Sequence, residues 1–236
     1  MRPVCWSRRT SVAGRRTSAI QLPYDTCHRS IWEYAAAMRA DSVDFSWVLR
    51  ERCPLCGDRG CIGELTPYGR GVVELFPYRE EWVLVARFRC NRTRGTFSLL
   101  PLELAPYHVY TVPTMLWALM FCHVMFSEPG KPLDAVLEKL DSDRPVTMYL
   151  VRCWARMVIR GFRRSHTTLA RLHDLRGVRS ESGFRGAVSE VDAYLTACCA
   201  RGPPLAVLPI LRGFVELAQG PRFLFGTASQ DRARGR

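Results

Sequence analysis

The pattern of hydrophobic and polar positions divides the chain into two parts. Between residues 53 and 100 the apolar runs are short and rich in β-branched and aromatic residues, which is typical of strands. Residues 72–76 and 82–90 predict two strands joined by a turn at residues 77–80. A third strand is predicted at residues 96–100, where Pro101 ends it. We therefore expect a β-hairpin with one added strand.

After residue 106 the apolar residues recur with the 3.6-residue period of helices. Helices are predicted at residues 113–126, 132–140, 145–161, 188–199 and 205–218. A further short helix is predicted at residues 29–40, because Ser30 and Glu33 have the spacing of a capping box. The pattern indicates an α+β fold in which a small β module precedes an all-helical C-terminal half.

The expected organisation follows from the same pattern. Residues 1–28 are predicted to be a basic flexible arm, 29–106 the β module with its preceding helix, 107–228 the helical domain and 229–236 a polar tail. No uncharged apolar run is long enough to span a membrane. The N-terminus lacks the apolar segment of a secretory signal, so we expect a cytoplasmic protein with no membrane partner.

Four of the ten cysteines fall near the predicted hairpin, and their spacing indicates a metal site. Cys53 and Cys56 form a C-x2-C turn, which points two thiolates at one ion, and Gly57 permits the positive φ that leaves this turn. Cys90 ends the second predicted strand. Without a secretory signal, cysteines in such a pattern favour metal binding over disulfides.

The second pair of ligands is incomplete. Thr93 stands where a second C-x2-C turn would have its cysteine, and threonine is not a zinc ligand. Cys61 is the candidate for the fourth sulfur. We therefore predict a structural zinc ion on Cys53, Cys56, Cys61 and Cys90 in a zinc-ribbon-like module. The alternatives are a degenerate ribbon that has lost its metal and, less favoured with one knuckle, an iron site.

The remaining cysteines carry no comparable pattern. Cys27 and His28 are a weaker candidate pair of ligands. Cys5 shows no pattern. The other four cysteines lie in predicted helices among apolar residues, where thiols pack as small hydrophobic groups; they are Cys122, Cys153, Cys198 and Cys199.

Positive charge is concentrated in one part of the predicted helical half. The formal net charge is +12, and residues 144–180 contain nine arginines and one acid. Such a concentration is expected where a protein meets phosphate backbones or an acidic partner, although a solvated arginine-rich face is the alternative. Helical spacing places Arg152, Arg156, Arg160 and Arg164 in one stripe, opposite the apolar residues that include Trp154 and Val158.

A helix-turn-helix is the arrangement that this stripe predicts. The helix at residues 145–161 would be followed by a second at 162–175, with Ser165 as its N-cap. The candidate phosphate contacts are Arg152, Arg156, Arg160, Arg163, Arg164 and Arg171.

Several segments resemble a bacterial family of uncharacterised domains found near insertion elements. The resemblance lies in residues 53–57, 68–70, 87–90, 95–101 and 106–111 and extends over about residues 50–125. Members pair a zinc-ribbon-like front with a helical back half and are similar to transposase accessory regions. The resemblance implies association with DNA and a protein partner from a mobile element; Thr93 departs from the family's two-cysteine second knuckle.

Together these observations predict a DNA-binding protein with a structural zinc site and no catalysis of its own. A protein-interaction adaptor is the main alternative, and a transposase or nuclease fragment is a weaker one. The acidic residues at positions 134, 138, 141 and 143 fit a solvated helix face better than a two-metal nuclease site. His166 and His173 fit core or phosphate-facing roles better than a metal pair. No small-molecule substrate is indicated.

Overall fold

A computed structural model describes residues 19–26, 30–75, 77–126, 146–199, 207–218 and 223–225. Within them the chain has an α+β fold, with helices in the C-terminal half as predicted. The elements are β1 (Ala19–Tyr24), α1 (Ile31–Arg39), α2 (Ser46–Arg50), β2 (Ile62–Leu75), β3 (Tyr78–Cys90), β4 (Thr96–Pro101), α3 (Val112–Phe126), α4 (Met148–Leu169), α5 (Gly183–Cys199) and α6 (Val207–Leu217).

The four strands form one mixed sheet in the order β1-β4-β3-β2. β2 and β3 are the predicted antiparallel hairpin, and their pairing runs from Ile62 opposite Cys90 to Leu75 opposite Tyr78. β4 pairs antiparallel with β3. Because the hairpin turn lies at one end of β2 and β3, Cys90 lies at the opposite end of the sheet.

The hairpin is longer than the sequence pattern predicts. β2 begins at Ile62 and β3 at Tyr78, so the turn predicted at residues 77–80 is wrong in extent. A register shift between Leu65 and Tyr68 interrupts the pairing where Pro67 has no N–H to donate. This irregularity hides the strand pattern of residues 62–71.

The prediction that the flexible arm extends through residue 28 is wrong for residues 19–24. These residues form β1, which pairs in parallel with β4 from Ala19 opposite Thr96 to Tyr24 opposite Pro101. Pro23 argues against a central strand, but β1 is an edge strand, where proline is tolerated. Its pairing partner lies far along the chain, so no local signal predicts the contact.

The predicted short helix before the cysteines is confirmed. Ser30 caps α1 through its side chain, and the Glu33 side chain completes the capping box. α1 buries Ile31, Tyr34 and Ala35 against the sheet side of the molecule. α2, which the sequence pattern does not indicate, leads directly into the segment with the first cysteines.

The predicted helix-turn-helix is wrong. α4 is continuous from Met148 to Leu169, its N-cap is Thr147, and Ser165 is buried inside the helix and does not cap a second one. Gly161 suggests a break by its sequence, yet a Cβ there would lie 2.5 Å from the Leu224 carbonyl oxygen. The glycine therefore serves close packing and not a turn.

Two apolar cores hold the fold. One joins the sheet to α1 and includes Phe88, Phe97 and Leu100. The other lies among α3, α4, α5 and α6, where Trp154 packs edge-on against Tyr110 and the Phe162 ring stacks on Tyr194. We call the sheet with α1 and α2 the β module, and α3–α6 the helical half.

Several contacts link the two cores. Phe223 lies in the core of the β module, whereas Leu224 and Phe225 lie in the core of the helical half. The half-buried Arg70 side chain on β2 donates hydrogen bonds to the carbonyls of Ala105 and His108. Arg70 thus fixes the connection between β4 and α3, which contains the Pro-Tyr-His segment of the family resemblance.

Among the described helices, none combines the length and apolar character that crossing a membrane requires. Several predictions fall on residues outside the described ranges. They are the arm at residues 1–18, the pair Cys27 and His28, the helix at 132–140 with its acidic residues, and the tail at 229–236.

Candidate metal centre and basic helix face

The first cysteine turn, residues 53–57, has the backbone that the sequence predicts. The Gly57 N–H donates to the Cys53 carbonyl at 2.8 Å, which closes the turn, and Gly57 has φ +81°. The Leu55 N–H lies 3.5 Å from the Cys53 sulfur. We call this turn the first knuckle; its backbone N–H groups face a sulfur, as in metal-thiolate sites.

Residues 90–94 form a second turn with the same backbone closure. The Arg94 N–H donates to the Cys90 carbonyl at 2.8 Å, and Arg94 has φ +60°. Arg94 thus occupies the place that Gly57 has in the first knuckle. Thr93 lies at the position equivalent to Cys56, three residues after the first cysteine. The second turn therefore has the backbone of a knuckle and lacks only the second thiol.

Cys61 supplies the missing sulfur. It directly precedes β2, and its sulfur lies 3.2 Å from the Cys56 sulfur and 3.9 Å from that of Cys90. The four sulfurs of Cys53, Cys56, Cys61 and Cys90 all lie within 4.8 Å of one another. All four thiols are free of disulfides. The structure thus brings together the four cysteines that the sequence predicts.

The four sulfurs fit a zinc ion. A zinc ion bonded to four sulfurs at ~2.3 Å in a tetrahedron separates neighbouring sulfurs by roughly 3.8 Å. The contacts of Cys61, 3.2 and 3.9 Å, lie on either side of this separation. Cys53, Cys61 and Cys90 are buried and Cys56 is half-buried, so the cluster is closed on most sides. A closed set of four thiolates is typical of structural sites.

The thiols of the cluster have displaced pKa values. The hydrogen bond with the Cys56 sulfur, together with burial, raises the pKa of Cys61 to about 12, and burial raises the pKa of Cys53. Burial also opposes ionisation of Cys90, but hydrogen bonds from Thr93 outweigh it and lower the pKa of Cys90 to about 6. One thiolate therefore forms readily, and a divalent cation would displace the protons of its neighbours.

Thr93 has a role that the sequence reasoning missed. Its N–H lies 3.3 Å from the Cys90 sulfur, and its side chain also hydrogen-bonds to that sulfur. The Thr93 hydroxyl oxygen accepts the Gly95 N–H at 3.3 Å. Thr93 thus hydrogen-bonds to the Cys90 sulfur and adds no sulfur of its own. The Cys90–Arg94 turn is the feature that indicates this role. It is visible in the backbone hydrogen bonds and not in the sequence.

The other described cysteines lie outside the cluster. Cys122 on α3 is fully buried, as predicted, whereas Cys153 and Cys198 are half-buried, so the prediction of buried packing is wrong for these two. The His166 ring bonds to the Tyr194 hydroxyl at 2.8 Å. Among the described residues, no group of three or more metal-ligating side chains besides the four cysteines comes together.

The basic stripe lies on the solvent face of α4. The helix contains five arginines and no acid, and its apolar face is buried in the helical core. Arg152, Arg156 and Arg160 are exposed on successive turns; we call them the arginine row. Arg156 hydrogen-bonds its own helix, at the Arg152 carbonyl and the Cys153 sulfur. Arg160 has no hydrogen bond or ion pair within the described part of the chain.

The structure places the other three candidate arginines differently. Arg163 binds the buried Glu190 carboxylate, with Nε at 2.9 Å, and donates to the Glu181 carbonyl at 2.8 Å. Arg164 points to the carbonyls of Phe223 and Leu224, each 3.5 Å away. Arg171 lies in the turn after α4. Arg163 and Arg164 are therefore held by hydrogen bonds to other segments. The arginine row makes no hydrogen bond to another described segment and stays exposed, although the Arg152 guanidinium lies 5.9 Å from the centre of the Phe184 ring.

Glu190 is a second residue that sequence reasoning missed. Its side chain is 1% exposed, and it accepts hydrogen bonds from Arg163 and from the Glu181 N–H. Burial raises the pKa of this carboxyl, but the Arg163 guanidinium and the Glu181 N–H hold it below its ordinary value. Glu190 thus fixes the segment before α5 against α4.

Comparisons with protein-family models, with curated proteins and with solved structures found no match to this chain. The resemblance to insertion-element domains therefore stays a prediction. What the structure establishes is an α+β fold with a four-cysteine cluster compatible with a metal ion.

Proposed function

We propose that the protein binds nucleic acid, DNA in the first place, through the arginine row of α4, and that a structural zinc ion stabilises its β module. The observation that carries the proposal is a 22-residue helix with five arginines, no acid and an exposed basic face. A helix of this composition attracts phosphates, because no nearby carboxylate on the same helix compensates its charge.

The zinc ion in this proposal has a structural role. Cys53, Cys56, Cys61 and Cys90 would use all four tetrahedral positions, which leaves none for water or substrate. The segment between α2 and β2 has little regular structure and mostly exposed residues. The four thiolates would hold this segment against the end of the hairpin, while the Thr93 and Leu55 N–H groups orient two of the sulfurs.

The arginine row suits phosphate contacts for a geometric reason. Residues four apart on a helix are separated by ~6 Å along its axis, so the three guanidinium groups form a regular series on one face. The stem of each arginine stands on a helix whose opposite face, with Val151, Trp154 and Val158, is packed in the core. Contacts of this type give affinity without choice of sequence.

A protein-interaction adaptor is the second candidate function. The β module favours it because Trp47, Tyr78 and Trp82 expose much of their rings. An adaptor would use one or more of these side chains and would leave the arginine row without a ligand. Association with a mobile element, which the family resemblance implies, is compatible with either function.

The proposal is tested by oligonucleotide binding at several salt concentrations. We expect wild-type protein to bind labelled DNA with an affinity that falls steeply as salt rises, because bound phosphates release counterions. Replacing the row with glutamine (Arg152→Gln, Arg156→Gln and Arg160→Gln together) should weaken binding and lower the slope of log K against log salt by about 2–3.

A control variant separates position from charge. Arg50, Arg52 and Arg59 are exposed beside the first knuckle, and their replacement with glutamine removes the same charge from the β module. We expect this variant to keep most of the affinity. Equal losses in the two variants, or unchanged binding in the row variant, would contradict the proposal. Absence of DNA binding in the wild type would favour the adaptor.

A further inference from the structure

An exposed aromatic ring stands at the head of the arginine row. Tyr149 lies in the first turn of α4, and 74% of its surface is exposed, the largest fraction among the large hydrophobic side chains that the structure describes. At 100° per residue, Tyr149 shares a face with Arg152 and Arg156, one and two turns further on. The ring and the guanidinium groups therefore form one continuous surface.

Contacts within the described part of the protein do not explain why an aromatic side chain stands at position 149. Tyr149 makes no hydrogen bond, ring stack or cation–π contact with any residue in the described ranges, whereas buried aromatic residues such as Phe162 stack on neighbours. A solvent-facing ring next to a track of cations is the combination found in proteins that bind single strands. There the backbone follows the cations, and bases stack on the aromatic faces.

The row also borders an open cleft. A cavity of about 510 Å³ lies between α4 and residues 180–183, and its lining includes Arg156, Arg160 and Ser182. This volume lies in the range of ~300–1,000 Å³ that accommodates small organic ligands. The wall opposite α4 is held in place, because Glu190 binds both Arg163 and the Glu181 N–H.

We infer that this surface binds a single strand of nucleic acid, with one unpaired base stacked on Tyr149 and successive phosphates on Arg152, Arg156 and Arg160. The inference rests on the proposed function and adds the form of the nucleic acid. In a duplex each base already stacks on its neighbours, so the Tyr149 ring finds no free base face to stack on. In a single strand the base is free to stack, and the cleft provides room for a neighbouring nucleotide.

The test compares a labelled oligothymidylate with a duplex of equal length, both at the same salt concentration. We expect wild-type protein to bind the single strand more tightly. Tyr149→Ala should weaken single-strand binding about tenfold and leave duplex binding unchanged, because one stacked base is lost. Tyr149→Phe should bind like wild type, since stacking does not need the hydroxyl.

Trp82→Ala provides the matched control. Trp82 is 68% exposed and lies on β3 of the β module, outside α4 and the lining of the cleft, so its loss should not alter binding if the stacking site is Tyr149. Circular dichroism of each variant verifies that the fold is retained. Equal affinity for single strand and duplex, or unchanged single-strand binding in Tyr149→Ala, would overturn the inference and leave the proposed function standing.

Failure of the proposed function has a different signature. If the wild type binds neither oligonucleotide, or if the arginine-row variant binds as the wild type does, then both the function and this inference fail. An effect of Tyr149→Ala on single strand and duplex alike would also overturn the inference, because a stacking contact acts on unpaired bases.

Discussion

The β module and the helical half are stabilised in different ways. The helical half surrounds Trp154, Phe162 and other fully buried side chains, and each of its helices contributes to one apolar core. The β module has its own core under the sheet, but the segment from residue 51 to 61 lies at the edge of it and is mostly exposed. Three thiols of this segment meet the thiol of Cys90 there.

This difference indicates that the two regions have different roles. Apolar packing stabilises the regular parts of the chain, and in the proposed zinc site a metal ion would stabilise the irregular segment. The arginine row lies on the helical half, which contains none of the four cysteines. The stability of the β module and binding by α4 are therefore expected to respond to different substitutions.

The largest effect is expected from loss of the metal site. Cys90→Ser removes one of the four clustered thiols. If the cluster holds zinc as proposed, we expect this to cost the β module about 5 kcal/mol or more of stability, because structural zinc contributes directly to folding. Hydrogen exchange should become fast in β2, β3 and residues 51–61 and stay slow in α4 and α5. Uniform loss of protection in both regions would contradict the separate stabilisation of the β module and the helical half.

Glu103 tests the junction of the two regions. It is buried, accepts the Ile31 N–H at 3.1 Å, and its carbonyl accepts the N–H of Val112 at the start of α3. Burial raises the pKa of Glu103 to about 7. The folded state therefore favours the protonated acid. As pH rises from the ordinary carboxyl pKa through 7, Glu103 ionises and the free energy of unfolding falls.

Glu103→Gln should remove this dependence while its side-chain oxygen keeps accepting from Ile31. We expect a gain of about 3 kcal/mol over wild type at pH 8, which shrinks to about 1 kcal/mol at pH 5. Urea unfolding of the wild type and the variant at both pH values measures this difference in the free energy of unfolding. A gain that is the same at both pH values would show that Glu103 does not titrate between them.

Val158 tests the helical core by itself. It is fully buried on α4, and Val158→Ala removes two methyl groups from the core. We expect a loss of about 2 kcal/mol in urea unfolding, from lost burial and the cavity left behind. Metal content should equal that of the wild type. Loss of metal in this variant would show that the two regions are not independent.

The smallest effect on stability is expected from the arginine row. Because Arg152, Arg156 and Arg160 are exposed and make few contacts, their replacement with glutamine should change stability by less than about 0.5 kcal/mol for each residue. Thermal unfolding at one ionic strength measures this. A large loss would mean that the row has a structural role, and its effect on DNA binding would then need another explanation.

The sequence predicts those features that depend on local signals. The capping box at Ser30 predicts α1, and the spacing of Cys53, Cys56, Cys61 and Cys90 predicts the sulfur cluster, since short-range chemistry determines both. The period of apolar residues predicts α3 and the start of α4. These signals are complete within a few residues of the chain.

The failed predictions share a different origin. β1 pairs with β4, more than seventy residues away, and Gly161 looks like a break until the close approach of Leu224 explains it. Glu190 holds Arg163, one of the arginines predicted to contact phosphate. In each case a tertiary contact overrides the local pattern, and no single stretch of sequence contains both partners.

Metal content of purified protein tests the account most directly, and Thr93 makes that test specific. We expect about one zinc ion per chain in the wild type and in the control Cys122→Ala, and almost none in Cys61→Ser. Because residues 90–94 retain the backbone of a knuckle, adding Thr93→Cys to Cys61→Ser should restore about one zinc ion per chain. A wild type free of metal, or a full complement of zinc in Cys61→Ser alone, would contradict the four-cysteine site.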